Sequence, residues 1–193
     1  KSQTARAKTV SDFEGRKFIA TVIYADSWAD MSITRVPYGL YELTVESDGV
    51  KKETKYTEMS HDWMGGAIKR GHFYGIRNIN MFGSLTGVAT SDINIADWTK
   101  VSEYLSDDPS YDKLPTAMAY NAADGEVYGI FYNYDLTGLN TVRFNTRSLS
   151  AELIDKFPGK FNVVAMASAP DGYLYLINLD GDFYRFDAGK SEL

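Results

Sequence analysis

The sequence predicts an all-β chain, and three observations carry that prediction. Segments with a 3.6-residue apolar period are nearly absent, short runs rich in Val, Ile, Tyr, Phe and Thr recur, and Asp-Gly pairs fall at 48–49, 124–125, 171–172 and 180–181. Asp and Gly both tolerate the positive φ angles of tight primed turns, so each pair marks a hairpin. The 14 Tyr, 10 Phe and 3 Trp suit pleated surfaces, where aromatic and β-branched side chains pack well.

Composition narrows the function. A chain of 193 residues with 44% apolar and 24% charged residues buries a substantial core. Its net charge of −6, with no basic stripe, argues against nucleic-acid binding, which draws on clustered Lys and Arg. Cysteine is absent, which excludes disulfides and thiolate metal sites. No apolar run approaches the ~20 residues of a membrane helix. The segment 1–16 is polar and patternless, like a linker or a mature N-terminus after removal of an export signal, and it suggests a secreted, periplasmic or cell-surface location.

Taken in order, the strand-like runs begin with "KFIATVIYA" (17–25), "GLYELTVE" (39–46) and "KKETKYTEM" (51–59). Three similar stretches follow, "GGAIKRGHFYGIRN" (65–78), "TAMAYNAADGEVYGIFYN" (116–133) and "VAMASAPDGYLYLIN" (164–178). Each has a strand of small residues, a polar turn, an aromatic pair with Tyr74, Tyr128 or Tyr175 second, and an Asn soon after. A third strand succeeds each of them, in "SLTGVAT" (84–90), "LNTVRFNT" (139–146) and "DFYRFD" (182–187). Amphipathic segments "WTKVSEYL" (98–105) and "SAELIDKF" (150–157) come after the first two. The stretch 148–157 is also the best helical candidate, so strand and short helix both stay open there. Repeats near 17–60, 61–107, 113–159 and 161–193 result, within one domain spanning 17–193.

On these residues, above all "AMAYNAADGEVYGI" and "AMASAPDGYLYLI" followed by "GLNTVRFN" and "GDFYRFD", the chain resembles the blades of β-propellers, in particular divergent repeats of secreted bacterial propeller proteins. The resemblance implies about four four-stranded blades. These form a small closed ring or a fragment of a larger one with further blades. A two-sheet β-sandwich is the alternative, although about fifteen predicted strands exceed the seven to nine such a fold uses. Two physical features agree with blades. Innermost strands crowd an axis and need small residues, as at Gly65, Gly66, Ala67, Ala117, Ala119, Ala165 and Ala167. Second strands lie between neighbouring blades and need apolar residues on both faces, as in "EVYGIFY" and "YLYLI".

The acid-rich stretch at 178–182 first suggests calcium. Asn178, Asp180 and Asp182 alternate as ligands would, but Phe183 stands where a calcium loop needs Gly, and no Glu follows at the twelfth position. A hairpin turn explains the same residues, and neither a metal nor another cofactor is expected. His61 and His72 are the sole histidines and lack zinc-site spacing. Nucleophile elbows, phosphate loops and dinucleotide fingerprints are missing.

Blade connections gather on one face, and loops on a rigid scaffold concentrate function. That placement puts His61, Asp62 and Trp63 beside Arg77, Asn78 and Asn80, beside Asn133, Tyr134 and Asp135, and beside Asn178. An aromatic platform among amides and carboxylates suits a glycan or a polypeptide. The plain reading, ordinary loop residues with Trp63 at a blade edge, stays open. Function is therefore expected to be non-catalytic binding of such a ligand, with a propeller-type glycosidase or lyase as the alternative.

Overall fold

Among the described residues every sheet is a meander in which strands pair antiparallel with their neighbours in sequence. The computed structural model describes residues 10–22, 39–57, 63–81, 84–106, 117–132, 138–159, 161, 163–190 and 192–193. The first sheet comprises β1 (Lys17–Val22), β2 (Gly39–Glu46) and β3 (Gly49–Thr57). The second holds β4 (Trp63–Lys69), β5 (His72–Met81), β6 (Ser84–Asn94) and β7 (Thr99–Ser106). The third holds β8 (Ala117–Asn121), β9 (Glu126–Tyr132), β10 (Gly138–Asn145) and β11 (Ser150–Pro158). The fourth holds β12 (Val163–Ser168), β13 (Leu174–Asn178) and β14 (Phe183–Phe186). One 3-10 turn at Val10–Phe13 is the helical element among the described residues, and no helix there is long and apolar enough to cross a membrane. The class is all-β, as expected.

The chain divides into two compact units, 1–59 and 60–193. In the first, Leu40 and Tyr41 of β2 are buried, and the Lys52 ammonium sits 5.1 Å from the Tyr41 ring centroid. Charge pairs lace the same sheet: Lys17 Nζ donates to Glu42 at 2.9 Å, and Lys51 and Lys55 both bond Glu53.

Within the second unit the three sheets stack as propeller blades do. Strand β8 lies beside both β4 and β12, so the small-residue strands adjoin one another. One cluster joins Ala67, Tyr74 and Ile76 of the second sheet to Met118, Val127 and Phe144 of the third. Another joins Ala119, Tyr128, Ile130 and Leu139 of the third to Val163, Leu174, Leu176 and Phe186 of the fourth. Each fully buried Leu, Ile or Phe adds roughly 1.5–3 kcal/mol relative to exposure. The third sheet is thus covered on both faces, and β9 alternates Val127 toward one neighbour with Tyr128 and Ile130 toward the other. Strand β13 is apolar on both faces too, but within this unit only Leu174 and Leu176 find a partner sheet. Ile177 and Phe183 are exposed on the other face, Phe183 at 68%.

Of segment 148–157, where helix and strand were both open, 148–149 belong to a turn and the rest is strand β11. Between Thr141/Val142 and their partners Asp155/Leu153 the register shifts, leaving Ile154 as an extra residue. A bulge of this kind moves residues of one parity from one face to the other. Strict alternation is lost, which is why the segment lacks a clean period in sequence.

Turn chemistry differs from the expected primed Asp-Gly hairpins. The two-residue turn with both central φ angles positive is Arg70-Gly71, at 52° and 80°. Asp171-Gly172 and Asp180-Gly181 end three-residue loops instead. There the glycine amide bonds back to Ala169 or Asn178, and Gly takes φ near 87°. Four-residue loops follow Asn94, Asn121 and Asn145. In each the Asn side-chain oxygen accepts the amide two residues on, Ala96, Ala123 or Arg147, at 2.9–3.0 Å. The loops close with Trp98, Gly125 and Leu149 in the left-handed region.

Candidate functional site

The residues read as a loop-face site divide by what the structure describes. His61, Asp62, Asn133, Tyr134 and Asp135 lie outside the described residues. Trp63 opens β4 opposite Arg77, and Asn78 and Asn80 occupy β5 opposite Val88 and Leu85. Asn178 ends β13 opposite Val163, at the corresponding end of its own sheet.

Two of these side chains are described, and both serve the fold. Arg77 is buried, its side chain 5% exposed, and pairs with the Glu103 carboxylate. That carboxylate also accepts from Ser91 Oγ at 3.0 Å and Lys100 Nζ at 3.1 Å. Burial pushes Glu103 upward, but the bonds from Arg77, Lys100 and Ser91 outweigh it and hold the carboxyl below its ordinary value. Asn178 closes the 178–182 hairpin: its Nδ2 donates to Asp182 Oδ2 at 3.0 Å and its Oδ1 accepts the Asp182 amide at 2.7 Å. Two of the residues that suggested calcium are therefore bonded to each other, with an oxygen of each accepting from an N–H of the other.

The opposite end of the third sheet carries a groove of about 370 Å³ lined by Glu126, Arg143, Phe144, Asn145, Thr146, Arg147 and Glu152. Register assembles it. Arg143 on β10 is the cross-strand partner of Glu152 on β11 and of Tyr128 on β9, and its guanidinium bonds Glu152 at 2.9 Å. Glu126 opens β9, two residues before Tyr128 on the same face. The loop 146–149 is set by the Asn145 side chain, whose Oδ1 accepts the amides of Arg147 and Ser148 at 2.9 and 3.1 Å. Arg147 is exposed, and no carboxylate among the described residues pairs with its guanidinium. Phe144 and Leu149 plug the loop into the core beneath.

The second sheet flanks this end. Lys69 Nζ lies 4.0 Å from Glu126, and the Tyr74 ring contacts Phe144 at 6.3 Å between centroids. Tyr74, raised above its ordinary pKa by burial and the Asp92 charge, bonds Thr146. His72 Nδ1 is 2.7 Å from Asp92 Oδ1, with the imidazole stacked on Tyr74. A related device recurs on the next two sheets. Asp124 and Asp171 each accept an amide two residues on with one oxygen and a tyrosine hydroxyl four residues on, Tyr128 or Tyr175, with the other. The acids of the Asp-Gly pairs at 124 and 171 thus position tyrosines.

Sequence reasoning did not single out the groove. Glu126, Arg143 and Glu152 lie on three separate strands, and pairing brings them together. The usable signal was Asn145, one of three asparagines that end a strand before a four-residue loop.

No known family model matches the chain, and no curated protein is similar to it in sequence. Among solved structures, a protein of unknown function from Bacteroides caccae aligns at 10% identity and a TM-score of 0.46, covering 81% of this chain and 53% of that one. Porphyromonas gingivalis dipeptidyl peptidase 4 aligns at 12% identity and 0.47, over 81% of this chain and 35% of the other. A quinoprotein alcohol dehydrogenase-like protein from Bacteroides thetaiotaomicron aligns at 16% and 0.44, over 80% and 38%. The chain therefore spans a third to about half of the length of these proteins.

Proposed function

We propose that this chain is a non-catalytic binding module that engages a glycan or a polypeptide. The observation that supports this reading best is the groove at the turn end of the third sheet. It is large enough for one or two ligand residues, it is lined by guanidinium, amide, hydroxyl and carboxylate groups, and it rests on a sheet packed on both faces. A few directed polar groups on a rigid frame are what recognition needs. Glu103, Asp92, Asp124, Asp171 and His72 are tied into pairs that order strands and turns, which favours binding over acid–base chemistry. Trp63 and the loop-face residues around it stand as a second contact surface under the same reading.

Screening the purified chain against glycan and peptide arrays tests the proposal, with sustained turnover of a polysaccharide panel as the counter-assay. Saturable binding without turnover is the expected result. Hydrolysis or elimination of any panel member would transfer the chain to the glycosidase or lyase class.

A further inference from the structure

We infer that the groove selects a carboxylate, presented by an acidic side chain of a polypeptide, with Arg147 as the group that receives it. This rests on the reading of the groove as the binding site. Two guanidinium groups line it, and they are not equivalent. Arg143 is already bonded to Glu152, whereas Arg147 stands at the loop tip with no carboxylate partner among the described residues. Asn145 holds the Arg147 and Ser148 amides, and Leu149 anchors the end of the loop in the core, so the guanidinium is carried on a fixed backbone. A planar guanidinium fork pairs a carboxylate through two parallel bonds, and that geometry is lost on replacement by lysine.

The lining also decides between carriers. A sugar is commonly held by stacking its apolar face on an exposed ring. Among the described residues the one aromatic lining the groove, Phe144, is 1% exposed and cannot serve as a platform. Glu126 and Glu152 beside the two arginines repel a densely anionic polymer and leave room for a chain that alternates charge. A peptide with an acidic residue against Arg147 and a basic or neutral residue against Glu126 satisfies both.

The test titrates the intact chain with an alternating Glu-Lys peptide, with poly-L-lysine, and with oligogalacturonate as the acidic-sugar probe. Expected is saturable binding of the Glu-Lys peptide that weakens with salt and falls about tenfold in Arg147→Ala, the loss of one charge-assisted pairing. Arg147→Lys should recover only part of it. Arg147 is exposed in a loop, so both variants should melt as the wild type does. Arg147-dependent binding of oligogalacturonate without the peptide would overturn the choice of polypeptide. Peptide binding indifferent to Arg147→Ala would overturn the assignment of the groove. Binding of none of the probes would end this inference while leaving the module reading to the arrays, where a Trp63-dependent ligand would still sustain it.

Discussion

The Asn121 side chain ties two sheets together: its Nδ2 donates to the Gly172 carbonyl at 2.9 Å while its Oδ1 accepts the Ala123 amide of its own loop at 3.0 Å. Asn121 is buried at 2% exposure, and the Ala123 methyl lies against Gly172. Asn121→Ala takes the side-chain partners from the part-buried Gly172 carbonyl and the Ala123 amide, and should cost about 1–3 kcal/mol in urea denaturation. Asn121→Asp keeps the bond to Ala123 but sets a buried carboxylate against the Gly172 carbonyl and the Asp124 carboxylate, so it should cost at least as much as alanine.

Glu103→Ala removes the carboxylate facing the Arg77 guanidinium, which is almost fully buried. Removing a carboxylate partner from a buried charge is among the costlier single changes, and about 3 kcal/mol is expected. Replacing the pair together, Arg77→Met with Glu103→Leu, should recover much of the loss. A double-mutant cycle measured by denaturation checks both statements.

Gly66→Ala should destabilise by about 1–3 kcal/mol through overpacking. A methyl at this position overlaps the Phe73 ring and approaches the Tyr74 carbonyl within 3.0 Å. Phe73 is buried and cannot swing away freely. The added variant Phe73→Leu in the same chain should relieve part of the cost, which thermal melting of the single and double variants would show.

Acid and alkaline limits follow from the shifted groups. Hydrogen bonding to Tyr175 and the Tyr173 amide lowers Asp171, the Lys51 and Lys55 bonds hold Glu53 at about 2, and Glu103 is lowered as described. Carboxyls depressed in the folded state contribute stability above their unfolded values, and that contribution is lost as pH falls from about 4.5 through the folded values. Tyr128, pushed up by burial and by Asp124, and Tyr74, pushed up by burial and Asp92, act in the opposite sense. Their contribution is complete below pH 10 and disappears as pH rises through the folded values. Denaturation midpoints should be flat between about pH 5 and 9 and drop on both sides. A chain most stable at pH 3 would contradict the pairings.

How much of this was legible in the sequence depended on the range of the interaction. Hairpins are local, so Asp124-Gly125 and Asp180-Gly181 announced them, although the loops are longer than two-residue turns and their glycine amides bond back to Asn121 and Asn178. Small residues at Gly66, Ala67 and Ala119 foretold close-packed inner strands. The bulge at Ile154 hid β11, since one extra residue erases the period of two. Arg77 and Asn178 looked like ligand groups because sequence shows polarity but not the partner across the sheet. The groove was invisible for the same reason: Glu126, Arg143 and Glu152 are far apart in sequence and meet through register alone.

The most direct measurement of the central claim is calorimetric titration of the strongest array ligand into wild type, Arg147→Ala and Trp63→Ala. Saturable binding to the wild type, with affinity reduced about tenfold in Arg147→Ala and the fold intact, is the expected result. Equal affinity for wild type and Arg147→Ala, with loss confined to Trp63→Ala, would move the site to the other end of the sheets and contradict the assignment of the groove.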